Sequence, residues 1–215
     1  ATATSTPIPP TSTPTPTPAP TTAFPSTTSR DNFNRANNTN IGSNWTGNKS
    51  GYRIVSNRLD VGATSDIYWS VQTYGASQEA YVTLTTIDGA ASRIGLILKA
   101  QSRTGLGNGL LEVHYSPVDK TVQVWTYTAS TGWLQRGASA AVTMVNGDRL
   151  GVRALANGSV GVYVNSTRVG IWSTTGWTYA GSTGYIGIYT LNASNAVLDN
   201  FGGGTTGATT AGVGD

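Results

Sequence analysis

The chain contains no cysteine, which excludes disulfide staples, thiolate metal sites and thiol nucleophiles. That absence leaves the compartment open, because large β domains are secreted without bridges. Charge is scarce at 11% of residues, against roughly 25% in ordinary soluble chains. The 13 Lys and Arg are scattered, so the formal charge of +3 forms no patch that would follow a phosphate backbone. Nucleic acid is therefore not an expected partner. No apolar run approaches the roughly 18 residues of a membrane-spanning helix, and no stretch repeats apolar residues at the helical period. Histidine occurs once, at His114, and glutamate twice, at Glu79 and Glu112, which leaves acid–base chemistry little to draw on.

What replaces charge is Thr, Ser, Asn and 27 glycines. Eight of the nine prolines, with eleven Thr and four Ser, fall within residues 1–30, a segment too poor in apolar residues to build a core. Inside it Thr13-Pro14-Thr15-Pro16-Thr17-Pro18 alternates strictly, fixing every second φ near the polyproline II value. Thirty such residues would span roughly 90 Å at about 3.1 Å each. The chain opens on Ala1 rather than Met, which reads as a mature product after removal of a signal peptide.

From Asp31 the character changes to short β-type runs separated by Gly, Asn, Ser and Asp, giving an expected domain over residues 31–203 and a Gly/Thr-rich tail over 204–215. The clearest hairpin signal is Asn157-Gly158 between two apolar runs, the preferred pair for a two-residue type I′ turn. Further strands are expected over 52–56, 59–62, 67–71, 79–86, 94–99, 110–115, 122–127, 141–145, 169–172, 185–190 and 196–201. More than ten short strands without crossover helices require antiparallel pairing in two packed sheets. The expected class is all-β, a two-sheet antiparallel jelly-roll sandwich behind an extended polyproline II-like N-terminal arm.

The opening Asp31-Asn-Phe-Asn-Arg35 and the closing Leu198-Asp-Asn-Phe-Gly202 bracket three further fragments, Gly51 to Val61, Ile94 to Gln101, and Gly147 to Arg153 running into Val162 to Gly170. In this order and spacing they resemble a concanavalin A-like lectin/glucanase, or laminin G-like, jelly-roll domain. Resemblance to the glucanase branch would imply a Glu-x-Asp-x-x-Glu strand, which is absent. Some sandwiches of the superfamily bind calcium between first and last strands, where Asp31 and Asp199 stand; two carboxylates are too few, and no metal or cofactor is expected.

Neither glutamate has an acidic neighbour two positions on, so both are expected to be solvated or turn-bonding, and no catalytic residue is assigned. Alternation nevertheless places Glu112 and His114 on one face of a strand. Among six tryptophans and ten tyrosines, Trp177 and Tyr179 are the expected exposed platform for stacking on sugar rings. Asn-x-Ser/Thr sequons stand at Asn37, Asn44, Asn48, Asn157, Asn165 and Asn192. Thr6, Thr11, Thr13, Thr15, Thr17, Thr21 and Thr22 lie in a tract with the composition of O-glycosylated stalks.

Alternating Thr and Pro removes backbone donors along one side of an extended chain only, and the other side can pair with a sheet edge. This leads to three expectations. The first is an extracellular structural glycoprotein whose arm docks on another copy of itself, as a fibril subunit. The alternative is a lectin-like module on a Thr/Pro linker, with polysaccharide as its partner. A polysaccharide-active enzyme is a distant third.

Overall fold

A computed structural model of the chain describes residues 23–207. These residues form two antiparallel sheets, whose strands are numbered in chain order. Sheet A runs β14 (Thr167–Ser173), β13 (Ser159–Val164), β12 (Arg149–Ala154), β6 (Gln78–Thr86), β16 (Val197–Thr205), β4 (Arg58–Val61) and β3 (Tyr52–Val55), with β1 (Ser29–Asp31) also on β16. Sheet B runs β10 (Gly132–Gln135), β9 (Thr121–Thr128), β8 (Gly109–Ser116), β7 (Arg93–Ala100), β15 (Tyr185–Leu191), β5 (Ser65–Trp69) and β2 (Trp45–Gly47), with β11 (Ala140–Ala141) also on β9. The expected two-sheet antiparallel sandwich is what forms, and among the described residues it contains no α-helix.

The period-2 patterning does this work. In β9, Val122 and Val124 point inward while Gln123, Trp125 and Tyr127 point out, and in β8 Leu111, Val113 and Tyr115 face the core. One continuous core lies between the sheets, gathered at one end around Trp45, whose ring meets Trp69 at 5.3 Å and Phe201 at 4.9 Å between centroids. Lys99 is a buried exception. Its Nζ is held by the carbonyl oxygens of Ala76, Leu155 and Ala180, the last at 2.5 Å, so one ammonium links a strand of sheet B to loops bordering sheet A.

Several local expectations are corrected. The Asn157-Gly158 hairpin forms, but Leu155 pairs with Ser159 around a three-residue loop with Gly158 at φ +87°. That is a turn closed by a left-handed glycine rather than a type I′ pair. Both residues of a two-residue turn have positive φ at Ser56-Asn57 instead, between Val55 and Arg58. Of the expected strand at 141–145 only Ala141 pairs, together with Ala140 before it.

The expected boundary at Arg30–Asp31 also shifts. Ala23 to Asp31 form a strap across the outer face of sheet A. Ser29 and Asp31 pair with β16, and Arg30 Nε donates to the Gly203 carbonyl at 2.7 Å. Tyr81 on β6 donates to the Thr27 carbonyl, and Ser26 N–H reaches both oxygens of Glu79 at 3.0 and 3.1 Å. Arg153 on β12 bridges Glu79 and the Ala23 carbonyl. Phe24 ends the strap, stacked on Tyr163 of β13 with centroids 4.0 Å apart. The ring lies directly on Gly151, where a Cβ would come within 2.2 Å of it. Glu79, expected to be solvated, is fully buried because the strap covers it.

Candidate functional site

Outward-facing residues of sheet B assemble the richest chemistry among the described residues. Register across the sheet places Glu112 beside Trp125 of β9 and Ile97 of β7, and His114 beside Gln123 and Gly95. On β15, Gly187 and Tyr189 continue those rows, followed by Tyr68 and Asp66 on β5. Tyr68, Ile97, Ala100 and Leu110 form a small apolar floor, overlaid by Leu106, Tyr127, Trp133, Tyr185 and Tyr189. Trp125, Tyr127, Trp133, Tyr185 and Tyr189 are each partly buried and partly open to solvent. Gly95 and Gly187 leave the middle rows low, since a Cβ at Gly187 would strike the Ile67 carbonyl at 2.1 Å.

Beneath the rings lies a buried polar cluster. His114 Nδ1 approaches Glu112 Oε1 to 2.7 Å, although the alignment falls short of a hydrogen bond. Arg93 stands 3.4 Å from the same carboxylate and lies 5.4 Å from the Trp125 ring centre and 6.0 Å from that of Trp133. The guanidinium is thereby a bracket: its charge is matched by Glu112 and its plane supports two indoles. Gln123 accepts from Trp125 Nε1 at 2.9 Å and fixes that ring from the other side. Asp66 accepts from Tyr68 at 2.8 Å, and burial together with the Asp66 charge pushes the Tyr68 phenol well above its ordinary range. The expectation that Glu112 and His114 share a face therefore holds, while the expectation of a solvated Glu112 does not.

The residues expected to form a sugar platform are placed elsewhere. Trp177 is only 5% exposed, with its ring in the core and Nε1 donating to the Tyr127 carbonyl at 3.2 Å. Tyr179 is half-buried, edge-on to Trp177 at 5.6 Å and laid over Gly109. Their segment is a succession of turns, with Trp177 N–H bonded to the Thr174 carbonyl and Ala180 N–H to that of Trp177, so strand alternation does not govern it. The better signal was available in Trp125/Tyr127 and Tyr185/Tyr189, aromatics repeating at even spacing within clear strands.

All six sequon asparagines are exposed in loops and turns. Thr6, Thr11, Thr13, Thr15, Thr17, Thr21 and Thr22 lie outside the described residues. Asp31 is fully engaged, accepting both Arg35 nitrogens, Phe33 N–H and Trp45 Nε1. Asp199 lies close enough for the Asp31 charge to help raise its pKa, behind the larger effect of burial. No group of three or more metal-ligating side chains occurs among the described residues.

Solved structures share this architecture. β-Agarase B from Zobellia galactanivorans superposes with a TM-score of 0.59 at 12% identity, over 87% of this chain and 96% of that one. The fold is a concanavalin A-like jelly roll. A LamA variant from the same organism, in complex with laminaritriose and laminaritetraose, gives 0.56 at 11% identity over 84% of this chain and 99% of that one. A Bacillus subtilis protein of unknown function with a galectin-like fold gives 0.51 at 15% identity, over 68% and 81% respectively. No family model matches the chain, and no curated protein does. At such identities the concanavalin A-like likeness extends to the fold alone.

Proposed function

We propose that this domain is a lectin-like carbohydrate-binding module that lays a polysaccharide chain across the outer face of sheet B. The observation that carries the reading is a set of five partly buried rings on one face of one sheet, Tyr127, Trp133, Tyr185 and Tyr189 over an apolar floor and Trp125 beside them on Arg93. Sugar rings present apolar C–H faces that stack on such surfaces, and flat, rigid aromatics provide contact area with little entropy to lose. Arg93 is matched by Glu112 and, among the described residues, the only other charge beneath is the Asp66 carboxylate, so the face holds no surplus positive charge, which favours a neutral glycan over a polyanionic one. Structural neighbours held with laminarin oligosaccharides and with agaro-octaose support this ligand class.

The reading is non-catalytic. Retaining glycosidases place two carboxyl groups about 5–5.5 Å apart and inverting ones about 6.5–9.5 Å. Glu112 is buried against His114 and Arg93, and the nearest acid along its neighbouring row, Asp66, stands three strands away, about 14 Å at the usual strand spacing. The Thr/Pro tract and the exposed sequons support an extracellular setting. Calorimetric titration of the full chain with laminaritetraose and agaro-octaose tests the proposal: saturable binding lost in Trp125→Ala supports it, and binding unchanged by Trp125→Ala and Tyr189→Ala removes its basis.

A further inference from the structure

We infer that the free edge of β14 is a docking site for the Thr/Pro segment, residues 1–22, of a second copy of this chain. The strap fixes where that segment starts. Running from β16 over β6 and β12 to Tyr163 on β13, it delivers Ala23 next to the flank of sheet A that ends in β14. Among the described residues β14 has no partner on its outer side, and it has seven residues of backbone to offer. Arg168 and a register break near Val169 guard its first half, while the second half, Gly170–Ser173, carries no charge or Pro and shows Ile171 at 47% exposure. Trp172 Nε1 donates to the Ala138 carbonyl, so the loop after β10, the edge strand of sheet B, lies on the same flank. There Leu134 is 52% exposed. Both sheets thus end on one side, where Ile171 and Leu134 are exposed.

The sequence of the segment matches what an edge strand accepts. In Thr13-Pro14-Thr15-Pro16-Thr17-Pro18 the threonines supply every N–H, and in an extended chain those groups all point to one side. Such a strand pairs with one edge and offers a donor-free side to anything beyond, so addition stops at one layer.

Its occupant is a second copy rather than the chain's own sheet because Pro7, Pro9, Pro10, Pro14, Pro16, Pro18 and Pro20 each restrict their own φ and hold the preceding residue extended. A segment held extended in this way carries on past its own sheet rather than folding back along β14. Twenty-two extended residues reach roughly 70 Å, far past the roughly 23 Å length of a seven-residue strand. The contact is heterologous, segment to edge, so copies join head to tail into an open chain. This flank is distinct from the outer face of sheet B, and either proposal can fail without the other.

Light scattering on the unglycosylated chain provides the test, with the melting temperature of each variant as the folding control. The full chain is expected to grow with concentration into multiples of 22.3 kDa. Three variants are expected to stay monomeric: a chain starting at Ala23, which keeps the strap; Ile171→Lys; and the triple change Thr13→Pro, Thr15→Pro and Thr17→Pro, which removes the donors and keeps the extension. Mixing Ile171→Lys, with arm but no edge, and the chain starting at Ala23, with edge but no arm, is expected to give a one-to-one complex and nothing larger. A full chain that stays monomeric, truncated chains that assemble as well as the full chain, or a mixture that forms no complex would each overturn the inference.

Discussion

Trp125 is the residue on which the binding face turns, because three neighbours determine its pose: Gln123 accepts its Nε1 proton, Arg93 lies against the ring, and Glu112 neutralises that guanidinium. Trp125→Ala is expected to weaken glycan binding about tenfold or more, close to 1.4 kcal/mol, in a protein whose melting temperature moves little. Trp177→Ala is expected to do the reverse. Its buried ring would leave a cavity costing about 3–5 kcal/mol, visible in urea unfolding, with affinity per folded molecule preserved. Sequence spacing made Glu112 and His114 legible as a pair because both lie in an uninterrupted strand. It misplaced Trp177 and Tyr179 because the same spacing means nothing in a run of turns, where the backbone hydrogen bonds decide direction. Burial of Glu79 and Glu112 was not legible: each is covered by elements distant in sequence, the strap in one case and the ring layer of sheet B in the other.

At the level of elements, strand positions followed from alternation and turn residues, whereas β1, β2 and β10 were missed. Three or four residues are too few to show a period, and long-range pairing creates these strands rather than local pattern. The strap was hidden for a similar reason. Phe24 and Ser26 stand in a Thr/Pro composition that reads as unstructured, and only the surface formed by Glu79, Gly151, Arg153 and Tyr163 gives them a partner. Phe24→Ala is expected to cost about 3 kcal/mol and to expose the Tyr163 ring, measurable by chemical denaturation and tyrosine fluorescence. Lys99 gives a pH signature. Burial lowers its pKa from 10.5 to about 8, so between those values the folded chain holds fewer protons than the unfolded one. Stability contributed through this group therefore rises with pH from about 8 toward 10.5. Tyr52 and Tyr68, raised by burial, act in the opposite sense above pH 10, where the unfolded chain ionises first. Melting temperatures are expected to climb between pH 8 and 10 and fall beyond; in Lys99→Met the climb should vanish and the fall remain.

Across the whole molecule the two sheets divide the labour. The outer face of sheet A is taken up by the strap, and its β14 flank is left open, while the outer face of sheet B carries the rings. The six exposed sequons fall outside the stretch from β7 to β12, so strands β7 to β10, which hold most of the binding face, bear none of them. In a host that attaches N-glycans, the intact mass is expected to exceed 22.3 kDa while affinity for the oligosaccharide is kept; a loss of affinity restored by enzymatic deglycosylation would place a glycan over the rings. The architecture as a class was legible from composition and periodicity. Which face works was not, because both sheets alternate alike and only packing reveals which one is already covered. The most direct test of the central claim is calorimetric titration of the full chain with laminaritetraose and agaro-octaose beside its Trp125→Ala variant. The account predicts saturable binding to a neutral oligosaccharide that weakens about tenfold or more in the variant, with both proteins equally folded. Equal affinity in the two proteins, or no binding to either sugar, would contradict it.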